Sequence, residues 1–172
     1  MTYYLSLLIC VASRLVPHAA NFTPIGSLVF MNSRQKPWKG VLLAILAMVI
    51  SDIFLGFNFA SAFVYVGFAS YALIAQIKKI HPILGVIIGS ISFFIISNFG
   101  VWTGPWYSHD LAGFVSCFVN AIPFYRNTIL SDVIFVIVIL ALQNAYKVLK
   151  TKYSWEGLSW EKNLKIAISK KR

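Results

Sequence analysis

The stretch that decides the fold is residues 82–99, which read PILGVIIGSISFFIISNF. It contains no charged side chain, and its one side-chain amide, Asn98, stands at its end. A helix needs about 20 mostly apolar residues to cross the hydrocarbon core of a bilayer. The stretch therefore predicts a membrane-spanning helix.

The composition of the whole chain points the same way. Of its 172 residues, 59% are hydrophobic and 12% are charged, and the mean hydropathy is +0.76. A soluble domain carries about 25% charged residues. Because so few charges cannot cover a surface that faces water, we expect an all-α membrane protein.

Other apolar runs predict further helices, which lie near 2–16, 21–33, 39–57, 60–77 and 128–149. Together with 82–99 they predict about six transmembrane helices in a domain that covers 1–149. Thr23, which a proline follows, is a candidate N-cap for the second of them. The stretch 100–127 is more polar and contains helix-breaking residues, so we expect a loop there, with a short interfacial or re-entrant helix near 109–122.

The basic residues predict the orientation, because Lys and Arg mark the cytoplasmic loops of membrane proteins. Alternate predicted loops carry them: Arg34, Lys36 and Lys39, then Lys78 and Lys79, then Lys147, Lys150 and Lys152. The intervening loops hold Arg126 alone. With six spans, this pattern places both ends in the cytoplasm of a multi-pass protein of the bacterial inner (cytoplasmic) membrane.

The net charge of +10 does not indicate a nucleic-acid partner, because many of the basic residues lie after position 146. Membrane lipid with anionic headgroups suits them better. The segment 150–172 places Trp155, Trp160 and Leu164 among lysines. This pattern predicts a cytoplasmic basic amphipathic helix on the membrane surface, and a loosely ordered tail is the alternative.

Polar residues inside the predicted spans gather near one side of the membrane. Arg14, Asp52, Asn98 and Asp132 all fall near the predicted outer ends of their helices. Such groups are costly in a bilayer and usually face a cavity or one another. We therefore expect an outward-facing cavity, with structural ion pairs formed among Arg14, Asp52, Arg126 and Asp132.

The candidate ligand-binding residues combine these positions with polar and aromatic residues of the outer loops, as small-molecule pockets do. They are Asn21, Thr23, Asp52, Asn98, Trp102, Trp106, Tyr107, Asn120, Arg126 and Asn127. The three aromatic residues of this set, which could stack on a planar ligand, equally fit an aromatic belt at the membrane interface.

No pattern of an enzyme or a metal site is found in the sequence. It contains no Walker A motif, no G-x-S-x-G and no C-x-x-C, and His18, His109 and Asp110 match no metal-ligand spacing. Cys10 and Cys117 stand in apolar runs, where small packing residues are common. We therefore expect neither catalysis nor a cofactor or metal.

Four ordered segments resemble an uncharacterised family of bacterial integral membrane proteins. The family pattern is PHxxNFTPI, SD, TNFGVW and AIPFFRNT, and this chain matches it at 17–25, 51–52, 97–102 and 121–128, with Ser97 and Tyr125 as departures. The family is in turn similar to the substrate-binding S components of energy-coupling factor (ECF) transporters.

That similarity implies a six-helix protein that binds a vitamin or a metal ion from outside. It also implies a transmembrane coupling protein with two ATPases as partner. S components carry an A-x-x-x-A pattern on their first helix for docking that partner, and the nearest small residues here are Ser6 and Cys10.

The leading hypothesis is therefore an S-component-like protein for uptake of a small micronutrient. A structural or assembly subunit of a larger membrane complex is the alternative. A third possibility is an intramembrane enzyme that uses Asp52 or Asp132 with His18 or His109 as acid and base.

Overall fold

A computed structural model of the chain describes the backbone of residues 3–34, 36–77 and 79–169, and the side chains of these residues as far as 151. Six helices and no strands are found in these ranges. The helices are α1 (Tyr3–Leu15), α2 (Ile25–Ser33), α3 (Pro37–Leu55), α4 (Ser61–Ile74), α5 (Pro82–Trp102) and α6 (Leu111–Ser169). The predicted all-helical fold is confirmed.

Three helices are long and apolar enough to span a membrane: α3, α5 and the Leu111–Thr151 stretch of α6. The helices α1 and α4 are apolar but have 13 and 14 residues. With 9 residues, α2 is shorter still. A helix rises about 1.5 Å per residue, so α2 covers less than half of a hydrocarbon core about 30 Å thick.

The outer surface of the helices is strongly apolar. Tyr4 is 81% exposed on α1, Ile53 is 66% exposed on α3 and Leu73 is 70% exposed on α4. Soluble proteins rarely expose large contiguous apolar patches. This surface is that of a protein whose helices face lipid.

By contrast, α2 lies inside the protein and has no exposed residue. Its packing against α3 depends on a close approach: a methyl group on Gly40 of α3 would lie 2.6 Å from the backbone oxygen of Val29. Small residues allow helix backbones to come this near in membrane proteins. The side chain of Ser33 fills the same contact and donates a hydrogen bond of 2.7 Å to the Val29 oxygen.

The chain after α5 differs from the sequence-based expectation. We predicted a short helix near 109–122 and a separate span over 128–149, but α6 runs without interruption from Leu111 and contains Pro123. An interior proline removes one backbone hydrogen bond, and helices in membranes tolerate this loss. The helix continues through Ser169, and the predicted amphipathic face of 150–172 lies almost wholly on side chains outside the described part.

Two compact units divide the chain, Met1–Ile137 and Val138–Arg172. The first contains α1 to α5 and the beginning of α6, and the second contains the rest of α6. All the polar residues predicted to line the cavity belong to the first unit.

The start of α6 is held by Asp110, the residue before its first turn. Its Oδ1 accepts hydrogen bonds from the backbone N–H of Gly113 at 2.7 Å and from the Ser108 hydroxyl at 2.8 Å. The Gly113 bond, followed by the Ser108 bond, lowers the pKa of the Asp110 carboxyl, because both favour its charged form. Asp110 is thus an N-cap that acts in its ionised state.

We expect Asp110→Ala to lower the melting temperature modestly at neutral pH. Because the folded-state pKa lies below the ordinary value, the stabilisation is complete above that ordinary value and is lost as the pH falls through the folded-state pKa. The difference between wild type and variant should therefore shrink in acid. Thermal unfolding followed by circular dichroism from neutral to acid pH measures it, with Asp110→Asn, a cap that does not titrate, as control. Equal melting temperatures of wild type and Asp110→Ala at neutral pH would contradict the assignment.

Candidate functional site

A cavity of about 460 Å³ lies within the first unit, and all six helices contribute to its wall. This volume is within the range of about 300–1,000 Å³ that is usual for small-molecule sites. Its polar lining consists of Arg14, His18, Asn21, Thr23, Ser97, Asn98, Tyr125, Thr128, Ser131 and Asp132. The site is therefore a mostly apolar cavity with a limited set of polar groups.

The link between α1 and α2 brings two of the predicted residues, Asn21 and Thr23, to the cavity. Asn21 has a backbone φ of 62°, and it is the only described residue besides glycine with a positive value. Asparagine tolerates this left-handed conformation better than most residues. Thr23 is not the predicted N-cap, because α2 begins one residue later, after Pro24, and no side chain caps it.

Several polar atoms on the cavity wall have no protein partner among the described residues. Asn98 donates through its Nδ2 to the backbone oxygen of Phe94 at 2.8 Å, but its Oδ1 makes no hydrogen bond there. The side chains of Asn21 and Thr23 make none either. Asn21 is exposed, and Thr23 and Asn98 are half-buried, so their free atoms are accessible from the cavity. These atoms are available to a molecule that enters the cavity.

Aromatic rings form much of the apolar wall. The rings of Phe68 and Phe93 lie 4.4 Å apart between centroids, and those of Phe94 and Tyr125 lie 4.7 Å apart. These four residues bring α4, α5 and α6 together around the cavity. Aromatic pairs in this range of distances hold their rings in defined orientations. These ring pairs make up the aromatic part of the cavity wall.

The predicted ion pair of Arg14 with Asp52 is formed, with an Nη1–Oδ1 distance of 2.7 Å. Their side chains are 20% and 4% exposed. Tyr65 donates its hydroxyl proton to Asp52 Oδ2 at 2.6 Å, and Arg14 also donates to Ser51. Arg14 lines the cavity, whereas Asp52, a predicted ligand-binding residue, is not among the residues that line it. The pair joins α1 to α3 with its charges balanced.

The other predicted pair is not formed. Arg126 is exposed and makes no described ion pair, while Asp132 is 1% exposed. Asp132 accepts a hydrogen bond from the Tyr71 hydroxyl through its Oδ2 instead. The Ser27 hydroxyl lies 2.7 Å from the backbone oxygen of Asp132 and 3.4 Å from its Oδ1. Asp132 thus has neutral partners, and it is one of the residues that line the cavity.

The remaining candidate residues lie outside the cavity lining, and most of them hold loops. Trp102 donates from Nε1 to the backbone oxygen of Ser108 at 3.1 Å. Asn127 donates from its side chain to the backbone oxygen of Ala20 at 2.9 Å. The Nδ2 of Asn120 lies 3.4 Å from the Tyr107 hydroxyl, and Trp106 is 53% exposed.

The histidines do not gather into a metal centre. No group of three or more His, Cys, Asp or Glu side chains lies close together in the described part of the chain. The Nε2 of His109 is 3.1 Å from the backbone oxygen of Gly104, and its ring packs against Trp102. His18 borders the cavity, and its Nδ1 is 2.6 Å from the backbone oxygen of Val16.

Sequence reasoning missed Gly26 and Tyr71, on which the position of Asp132 depends. A methyl group on Gly26 would lie 2.5 Å from Asp132 Oδ1 and 2.7 Å from Tyr71 Cζ. Gly26 directly follows the PHxxNFTPI segment, but nothing in the pattern singles out Tyr71, which stands in the middle of an apolar run.

A protein-family model described as a family of unknown function (DUF6580) matches residues 1–156. No curated protein and no solved structure matches the chain.

Proposed function

We propose a function from the geometry of the cavity. The chain belongs to DUF6580, and because the function of this family is unknown, the family itself indicates no activity. The proposal is a membrane protein that binds a small micronutrient, of vitamin or metal type, and serves its uptake. It acts in the manner of an S component of an ECF transporter.

One observation carries this proposal: the cavity presents polar atoms that the protein itself does not satisfy. Asn21, Thr23 and the side-chain oxygen of Asn98 all border it without a described side-chain partner for those atoms. Asn21 is exposed and Thr23 and Asn98 are half-buried, so water can reach these atoms. A ligand with matching donors and acceptors can replace that water and pair with them.

The proposed setting is the bacterial inner membrane, with both ends in the cytoplasm and the cavity open to the outside. The loop charges support this orientation. Of the six proposed spans, the one at 21–33 crosses inside the protein, because its helix α2 is shorter than the hydrocarbon core. The short helices α1, α2 and α4 complete the bundle beside the three long ones. A transmembrane coupling protein with its ATPases is the proposed partner, since the chain has no nucleotide-binding motif of its own.

Thermal unfolding of the purified full chain in detergent tests the binding step. Each member of a panel of B vitamins and divalent metal ions is added separately, and a ligand should raise the melting temperature. At a concentration one hundred times Kd, binding adds about 2.7 kcal/mol to the apparent stability. We expect at least one compound to stabilise the protein in a saturable way.

Asn98→Ala provides the matched test of the site, because it removes the free side-chain oxygen. It should weaken the binding of the stabilising compound at least tenfold. Asn144→Ala, an exposed asparagine of the second unit, should leave binding unchanged. If no compound stabilises the protein, and extraction from native membranes yields one stable complex without ATPases, the chain is an assembly subunit instead.

A further inference from the structure

The charges that border the cavity do not balance. Arg14 and Asp132 are the described residues of its lining with a formal charge at neutral pH, His18 being counted as neutral. The charge of Arg14 is offset by Asp52 at 2.7 Å. Asp132 has no such partner, since the one described ion pair is that of Arg14 with Asp52. One carboxyl group is therefore left without a cation.

The hydrogen bonds of Asp132 leave room for another donor. An ionised carboxylate has about four acceptor positions. Tyr71 occupies one of them at Oδ2. At Oδ1 the only described hydrogen-bond donor is the Ser27 hydroxyl at 3.4 Å, and that hydroxyl is closer to the backbone oxygen, at 2.7 Å. The carboxylate can accept further hydrogen bonds from a ligand.

Burial makes this imbalance costly. Asp132 is 1% exposed. A buried charge without a partner of opposite sign costs several kcal/mol, and either a proton on the carboxyl group or a nearby cation removes this cost. Residues of this kind inside a membrane usually serve a ligand, an ion or a proton. A cation that enters the cavity would restore the balance at the position where it is missing.

The aromatic wall suits the same kind of ligand. Phe68, Phe93, Phe94 and Tyr125 line the cavity together with Asp132. The faces of aromatic rings attract organic cations, and the attraction is stronger where water is excluded. An acidic group and aromatic faces in one cavity are complementary to an amine on an apolar body.

We propose that the cavity binds a small organic cation, a protonated amine on a planar or apolar body, whose ammonium group pairs with the carboxylate of Asp132. This inference rests on the proposed binding function and narrows the class of its ligand. The polar atoms of Asn21, Thr23 and Asn98 then contact the remaining part of the molecule.

Three indole compounds of similar size test the charge preference: tryptamine, tryptophol and indole-3-propionate. They carry a positive charge, no charge and a negative charge. Isothermal titration calorimetry on the full chain in detergent at neutral pH should show tryptamine binding at least tenfold more tightly than tryptophol, with indole-3-propionate the weakest. This comparison uses the wild-type protein and depends on no variant.

Asp132→Asn then tests the residue, because it removes the charge and keeps an acceptor for Tyr71. The tenfold preference for tryptamine should disappear in this variant. Asp110→Asn, which removes a carboxylate outside the cavity, should retain the preference. Circular dichroism and gel filtration establish that each variant is folded.

Equal binding of tryptamine and tryptophol, stronger binding of indole-3-propionate, or no binding of tryptamine at millimolar concentration would overturn this inference. These results do not decide the broader proposal of a micronutrient-binding protein. That proposal fails if no vitamin and no metal ion of the panel raises the melting temperature of the protein. Retention of the preference in a folded Asp132→Asn protein would likewise refute the role of Asp132.

Discussion

Replacing Gly26 with alanine is expected to destabilise the protein by about 3 kcal/mol, the upper part of the range for overpacked cores. The new methyl group would lie 2.5 Å from Asp132 Oδ1 and 2.7 Å from Tyr71 Cζ. Neither side chain can move aside freely, because Asp132 is 1% exposed and Tyr71 is fully buried. The variant must separate the Tyr71–Asp132 hydrogen bond or displace α2.

The change in the free energy of unfolding for Gly26→Ala can be measured by adding SDS in increasing fraction to the protein in dodecylmaltoside micelles. Circular dichroism follows the loss of helix at each fraction of SDS. Ala12→Val, which adds volume at an exposed position of α1, is the control and should change stability by less than about 0.5 kcal/mol. A Gly26→Ala protein as stable as wild type would show that α2 does not pack as closely on Asp132 as described.

Arg14→Ala is expected to cost about 3 kcal/mol, since it leaves a buried carboxylate without its cation. Asp52 would keep the Tyr65 hydrogen bond of 2.6 Å but lose the Arg14 contact of 2.7 Å. The partial exposure of Arg14 sets this value at the lower end of the range for buried pairs. The same unfolding experiment measures the change.

Two further variants make the result specific to the pair. Arg126→Ala removes an exposed arginine without a described ion pair and should change stability by less than about 0.5 kcal/mol. The double variant Arg14→Ala/Asp52→Ala should recover part of the loss, because no charge then remains buried. If the double variant loses as much stability as Arg14→Ala or more, the unpaired carboxylate of Asp52 is not the source of the loss.

The membrane character and most helices could be predicted from the sequence. The run at 82–99 predicts α5 within three residues of its observed end at Trp102. Long apolar segments give this signal because they must satisfy every backbone group internally in lipid. The uninterrupted course of α6 could not be predicted, because Pro123 and the polar residues around it are typical of a break in water.

The site was predictable to a smaller extent. Asn21, Thr23 and Asn98 border the cavity, and Arg14 forms an ion pair with Asp52, as predicted. Both outcomes follow because polar groups inside apolar helices face a cavity or pair with one another. The neutral partners of Asp132 were not predictable. They come from α2 and α4, far away in the sequence, and a tyrosine or serine in an apolar run gives no sign of what it contacts.

The position of α2 has a consequence for how the protein assembles. A helix of nine residues that is enclosed by other helices is too short to cross the bilayer by itself and would leave backbone groups near its ends unpaired in lipid. Helices that form separately in a membrane and then associate must each cross it, and α2 is too short to do so. Its stability must come from α3, α4 and α5 closing around it. The part of the cavity wall formed by Ile25 and Gly26 is therefore completed late in assembly, after the helices that surround it are in place.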